Sequence, residues 1–184
     1  MKSKAQPKMA LKFPTTEIQV WSLMYSYDKP DLENEISNVI VPEAKKNGFL
    51  SKQQFLKVCK WKTERSKSLC EKNDERLIRD ITTIALSHPN EKLRIETLTL
   101  LDGVLWPTAS VFLHFFHADK YPILDFRALW SLGIEKPPAQ YDFEFWWEYV
   151  LCCRNLSKES GLDMRTIDKA LWAYSNENQK PGRQ

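Results

Sequence analysis

The stretch from residue 100 to residue 133, LLDGVLWPTASVFLHFFHADKYPILDFRALWSLG, limits most sharply what this chain can fold into. It reads as the end of one helix, a tight turn, a second helix, a short loop and a third helix. Leu98, Leu100 and Leu101 close an apolar run. Asp102-Gly103 breaks it, because glycine supplies the backbone freedom a tight turn needs. Pro107 suits the first turn of a new helix, where its missing N–H is not required. Ala109, Phe112, Leu113 and Phe116 then recur at i, i+3, i+4 and i+7, the spacing of one buried helix face. The loop 117–124 ends in Tyr-Pro-Ile-Leu, and Asp125 stands at the entrance of the next helix.

The flanking sequence carries further helix punctuation. Thr16-x-x-Gln19 predicts a capping box ahead of Ile18, Trp21, Met24 and Tyr25. Asp31 is placed to cap a helix with Leu32, Ile36, Val39 and Ile40 inward, interrupted at Pro42. Asn47-Gly48 is a stop signal, and Ser51-x-x-Gln54 is a second capping box before Phe55, Leu56 and Cys59. Asn73 or Asp74 caps a stripe of Leu77, Ile78, Ile81, Ile84 and Ala85, and Pro89-Asn90 starts the helix that leads into the turn. Asp142 and Asp163 cap helices over 143–156 and 164–178. No stretch alternates as a strand would. The fold class is therefore all-α, with frayed ends over the first dozen residues and 179–184.

At 184 residues, 42% of them hydrophobic, the chain reads as one globular domain, 1–184, able to bury a core. A net charge of +3 suits a nucleic-acid partner without requiring one. No apolar run approaches the roughly 20 residues of a membrane span, and the N-terminus lacks a signal-type apolar core. The expectation is a cytoplasmic monomer with no membrane partner. Cys59, Cys70, Cys152 and Cys153 lack metal-type spacing, and buried free thiols fit a reducing compartment.

Several groups carry chemistry beside a plainer alternative. The turn at Gly103, Val104 and Leu105, with the amides near Thr108, either joins two core helices or presents backbone N–H groups to a phosphate. Asp125 is either an N-cap or a functional acid. Lys60, Lys62, Arg65 and Lys67 form a basic segment around Trp61, which either stacks on a base or sits in the core. Arg127 would pair with Asp125, reach DNA or make a surface salt bridge. His114 and His117 have the spacing of a metal pair but nothing completes the set. Tyr141, Phe143, Phe145, Trp146, Trp147 and Tyr149 read mostly as core. Trp172 and Tyr174, two apart on one helix, cannot both face the core squarely.

Taken together, Leu101-Asp102-Gly103-Val104-Leu105, Thr108-Ala109 and Leu124-Asp125 resemble the helix-hairpin-helix DNA glycosylases of the endonuclease III type. The likeness is sharp over residues 93–133. It implies a two-lobed helical fold, one lobe from about 31–125 with the hairpin at 98–116, the other from about 1–30 and 134–178. It implies DNA as partner, bound by Gly103, Val104, Leu105, Thr108 and Arg127 and the basic segment. A flipped base would then lie against aromatics drawn from Trp61, Tyr121 and Trp172. Asp125 matches the catalytic aspartate. The family's Schiff-base lysine stands eighteen positions earlier, at Pro107 here. The implied activity is therefore hydrolytic base excision without lysine-dependent strand cleavage. No cofactor is implied beyond a monovalent cation at the hairpin, which Leu105 disfavours, and the cysteine pattern of an iron–sulfur cluster is missing. A DNA-binding module without excision, and an all-α interaction protein, are the rival readings.

Overall fold

The computed structural model describes residues 9–179. Among them every regular element is helical, and no helix is long and apolar enough to cross a membrane. The chain forms two compact units. One is the continuous segment Tyr27–Ile123; the other combines Met1–Ser26 with Leu124–Gln184.

The continuous unit opens with α2 (Pro30–Glu35), a π-turn (Ile36–Ile40) and α3 (Val41–Asn47), which run on as one helix. Pro42 was expected to interrupt it. Instead the Val41 amide bonds five residues back to the Ile36 carbonyl, and this wider turn, directly before Pro42, accommodates the proline within the continuous helix. The wider turn also shifts the phase of the apolar stripe, so Val39 points out while Ile36 and Ile40 are buried. Asp31 lies inside the first turn, and Lys29 takes the cap position. Gly48 ends α3 in the left-handed region, as Asn47-Gly48 predicts.

Helix α4 (Lys52–Lys62) begins with the Ser51–Gln54 capping box formed in both directions. A short α5 (Lys67–Cys70) follows. Asp74 caps α6 (Glu75–Ser87) through the Arg76 amide, and Asn90 caps α7 (Glu91–Leu98). On α6, Ile78, Ile81 and Ala85 are buried, while Leu77 and Ile84 lie at the exposed rim of the stripe. Helix α8 (Trp106–Phe116) buries the expected Ala109, Phe112, Leu113 and Phe116. Phe55 stacks on Phe112 with centroids 5.4 Å apart. Each such fully buried side chain contributes about 1.5–3 kcal/mol, so this face of α8 anchors the unit.

In the second unit a 3-10 turn (Thr15–Glu17) leads into α1 (Ile18–Leu23). The capping box expected at Thr16 does not form, because Thr16 lies inside that turn and Pro14 occupies the cap position. Helices α9 (Phe126–Ser131), α10 (Phe143–Ser160) and α11 (Met164–Asn178) complete the unit, with α1 and α9 both packed on α11. The Ser131 hydroxyl donates to the Leu171 carbonyl across that packing at 2.6 Å. Helix α10 runs four residues beyond its expected end, to Ser160, because nothing before Gly161 stops it. Helix α11 has the expected bounds. Fraying was expected through the first dozen residues. Ala10 and Lys12 instead donate backbone bonds to Leu132 and Ser131, at 2.9 and 2.9 Å, and Gln179 is bonded to Ser175. Residues 1–8 and 180–184 of those expected ends lie outside the described residues.

The resemblance implied a hairpin lobe from about 31–125. The continuous unit spans Tyr27–Ile123, and Asp125 lies next to the start of the other unit's second segment, which begins at Leu124. Residues 27–29 belong with the hairpin because the Tyr27 hydroxyl and the Lys29 ammonium donate to the carbonyls of Trp61 and Lys60, at 2.8 and 2.6 Å.

Candidate nucleic-acid interface

In the continuous unit, α7, the turn 99–105 and α8 form a helix–turn–helix. Gly103 takes φ of 80°. A Cβ there would lie 2.7 Å from the Cys70 Sγ and 3.0 Å from the Cys70 amide nitrogen, so α5 closes directly on the turn. The buried Asn73 side chain adds a second constraint. Its Nδ2 donates to the carbonyls of Cys70 and Asp102 at 3.0 and 2.9 Å, and its Oδ1 accepts the Asp102 amide at 2.8 Å. The Val104 amide is held by Leu101, and the Val104 side chain is buried. Val104 therefore belongs to the turn's own framework and not to a contact surface, contrary to expectation.

Leu105 precedes α8 in extended conformation and is 73% exposed. No side chain caps α8, and among the described residues the Gly103 and Leu105 amides meet no acceptor. Amides at a helix N-terminus are suited to an anion. Thr108 has a buried side chain, so only its backbone stands at this end.

The basic segment lies in the same unit. Lys60, Arg65 and Lys67 are exposed and Lys62 is half-buried; Lys67 begins the α5 that closes on Gly103. The structure thus joins the segment to the turn through α5. Two aromatics expected to line a base pocket are core residues instead. Trp61 is 3% exposed, packed edge-on to Phe115 and tilted on Tyr27. Tyr121 is fully buried. Its hydroxyl accepts from Arg94 and donates to Glu91, and Arg94 also reaches Asp119 at 2.7 Å. Burial, then the Glu91 bond, push the Tyr121 phenol up to about 12. This network pins the loop after α8 to α7.

The two histidines serve that loop. His114 Nδ1 meets the Tyr121 carbonyl at 2.7 Å, and His117 Nδ1 accepts the Asp119 amide at 2.9 Å. Among the described residues no His, Cys, Asp and Glu cluster forms a metal-binding set.

A monovalent cation at the hairpin would need outward carbonyl oxygens. The Leu101, Asp102 and Leu105 carbonyls each already accept an internal bond, from Val104, Asn73 and Ala109.

In the other unit, Asp125 is the N-cap of α9. Its Oδ1 accepts the Arg127 amide at 3.0 Å, and its side chain is half-buried. Burial and then the Asp125 charge raise the Tyr141 phenol; Tyr149 is raised mainly by burial and then by Cys153, with smaller additions from Asp168 and Asp125. Two phenols therefore stay protonated beside this carboxylate. The Arg127 guanidinium lies 5.3 Å from the ring centroids of both Phe126 and Trp172. Trp172 meets Tyr25 edge-on, and Arg165 and Lys169 lie 5.1 and 5.3 Å over the Tyr25 ring. The result is a half-buried cationic and aromatic surface one residue from Asp125. Such contacts contribute about 0.5–2 kcal/mol and suit both phosphates and base faces.

The residues that sequence reasoning missed are Asn73, which was read only as a helix cap, and the Tyr25–Arg165–Lys169 group. The second had a signal: Arg165, Lys169 and Trp172 recur at i, i+4 and i+7 on α11. Asn73 had none, since its partner lies 29 residues away.

No family model and no curated protein matches the chain. Among solved structures it is similar to the Methanocaldococcus jannaschii 8-oxoguanine glycosylase/lyase in complex with a 15mer DNA containing 8-oxoguanine. That likeness has a TM-score of 0.49 and 18% identity, over 91% of this chain and 83% of the other. A likeness at this level fixes no residue role.

Proposed function

We propose that this chain is a DNA glycosylase of the helix-hairpin-helix class, which hydrolyses the N-glycosidic bond of a modified or damaged base. The observation that carries the reading is the glycine-centred turn before α8. It leaves the Gly103 and Leu105 amides without internal acceptors at an uncapped helix end, with the basic α4–α5 segment joined to it. The amides hold a backbone phosphate, and Lys60, Lys62, Arg65 and Lys67 neutralise its neighbours.

In the reaction the target base leaves the stack and is held by the Trp172 and Arg127 surface. The bond between the sugar C1′ and the base nitrogen breaks with its electron pair going to the base, which takes up a proton. Positive charge builds on the sugar, and the Asp125 carboxylate stabilises it while water adds to C1′ and loses its proton. No amine stands at position 107, so the product keeps an intact strand with an abasic site.

One observation favours a second reading, a DNA-binding module without excision: Asp125 already has structural work as the cap of α9. A single experiment separates the two. Duplexes carrying a panel of modified bases are incubated with the protein and then treated with mild alkali. Alkali-dependent cleavage at the modified position supports the glycosylase. Salt-dependent binding with no abasic product leaves the binding module, and no binding overturns both.

A further inference from the structure

We infer that Asn73 is a positioning residue for the DNA-phosphate contact: its carboxamide holds the N–H and the C=O of Asp102, and so the two peptide groups flanking that residue, and aims the Gly103 and Leu105 amides outward. The inference rests on the DNA-binding reading above. Its geometry stands on three hydrogen bonds from one buried side chain, two donated to the Cys70 and Asp102 carbonyls and one accepted from the Asp102 amide.

The Asp102 N–H and C=O belong to the two successive peptide groups on either side of its Cα, so Asn73 holds both of them, and the second carries the Gly103 N–H. In a trans peptide the N–H points opposite to the C=O, so holding the Asp102 carbonyl sets the direction of the Gly103 N–H where the chain enters the left-handed residue. On the other side the Cys70 Sγ fills the space that a Cβ at Gly103 would take. Asn73 ties these together, because its remaining bond goes to the Cys70 carbonyl. The clamp also divides the turn's amides into two groups. Those of Asp102 and Val104 are consumed internally; those of Gly103 and Leu105 are left for a ligand. An anion meeting preset amides does not have to order the loop on binding, which is where affinity is otherwise lost.

Asparagine suits this task through its two-sided amide. Aspartate could accept from the Asp102 amide but would set a negative oxygen against two carbonyls, and alanine makes none of the bonds.

The test uses Asn73→Ala, with an unmodified DNA duplex as probe and binding measured by fluorescence anisotropy across a salt series. A neutral amide contact releases no counterions. The variant should therefore bind about tenfold more weakly at every salt concentration, with the log–log slope unchanged. Replacing Lys60, Lys62, Arg65 and Lys67 by alanine should flatten that slope instead. Measurements are made well below the variant's melting temperature. A variant that melts lower yet binds with wild-type affinity overturns the inference and leaves Asn73 a purely structural residue.

Hydrogen exchange on the wild-type chain supplies a second test that needs no variant. The Asp102 amide should be protected before DNA is added, and the Gly103 and Leu105 amides should gain protection only with the duplex. An unprotected Asp102 amide, or no duplex-dependent protection at Gly103 and Leu105, overturns the positioning role. If the wild-type chain does not bind the duplex, the DNA-binding reading itself is overturned and this inference falls with it.

Discussion

The Asp125 carboxylate receives the Arg127 amide at 3.0 Å, so one side chain both starts α9 and presents a negative charge at its mouth. Asparagine separates the two tasks, because it caps a helix about as well as aspartate but carries no charge. Asp125→Asn should lose base release by a factor of at least about 100, the scale of removing one electrostatic stabiliser. Its melting temperature and DNA affinity should stay near wild type. Glycosylase assays beside thermal melts check this; a wild-type excision rate would remove Asp125 from catalysis.

Pro107 is the second residue of α8, and its nitrogen is tied into the backbone. Borohydride added during turnover should therefore trap no covalent protein–DNA complex. Strands should break only after added alkali. Efficient trapping by the wild-type chain, mapped to any lysine, would show a nucleophile outside this reading.

Gly103 and Gly48 both take left-handed backbone, yet they differ in what surrounds them. A Cβ at Gly48 meets nothing within 4 Å, whereas at Gly103 it would lie 2.7 Å from the Cys70 Sγ. Gly48→Ala should cost on the order of 1–2 kcal/mol for its backbone alone. Gly103→Ala adds crowding worth roughly 1–3 kcal/mol more. Denaturant unfolding of both variants measures the gap; equal losses would mean that α5 yields freely.

His117 is buried, and its imidazole is held below its ordinary value of 6.5, chiefly by burial and then by the Arg94 charge. The folded state prefers the neutral ring, so below 6.5 the unfolded chain binds more protons. Stability from this site is present above pH 6.5 and is lost as pH falls through the lowered value. Protonation of Nδ1 would also break its bond from the Asp119 amide. Melting temperatures compared at pH 7.5 and pH 5 should fall less for His117→Asn, which keeps an acceptor at that place. An equal fall in both proteins would assign the acid sensitivity elsewhere.

The contrast between α11 and the Asn73 clamp explains what was legible in the sequence. Asp163 caps within three residues and Met164–Asn178 follows with one buried stripe, so both signals are local and the helix bounds can be read directly. The face of α8 was readable for the same reason. Pro42 misled because its cost was absorbed by a π-turn, a change of helical pitch that no residue pattern announces. Trp61 and Tyr121 misled because an aromatic beside charges looks the same in sequence whether it is wet or buried. Only packing against Tyr27 and Phe115, and hydrogen bonds from Arg94 and to Glu91, decided their places.

The helix–turn–helix belongs to an uninterrupted run, residues 27–123, while the other unit is assembled from segments on either side of it. A ribosome therefore delivers all of the first unit before the strip that completes the second. Helix α1 is made before residues 27–123 but packs against α11, which follows them, so its partner face waits uncovered while the whole of the first unit is made. Chain elongation itself imposes an order of assembly, in which the unit holding the Gly103 turn can mature before the segment bearing Asp125 is enclosed.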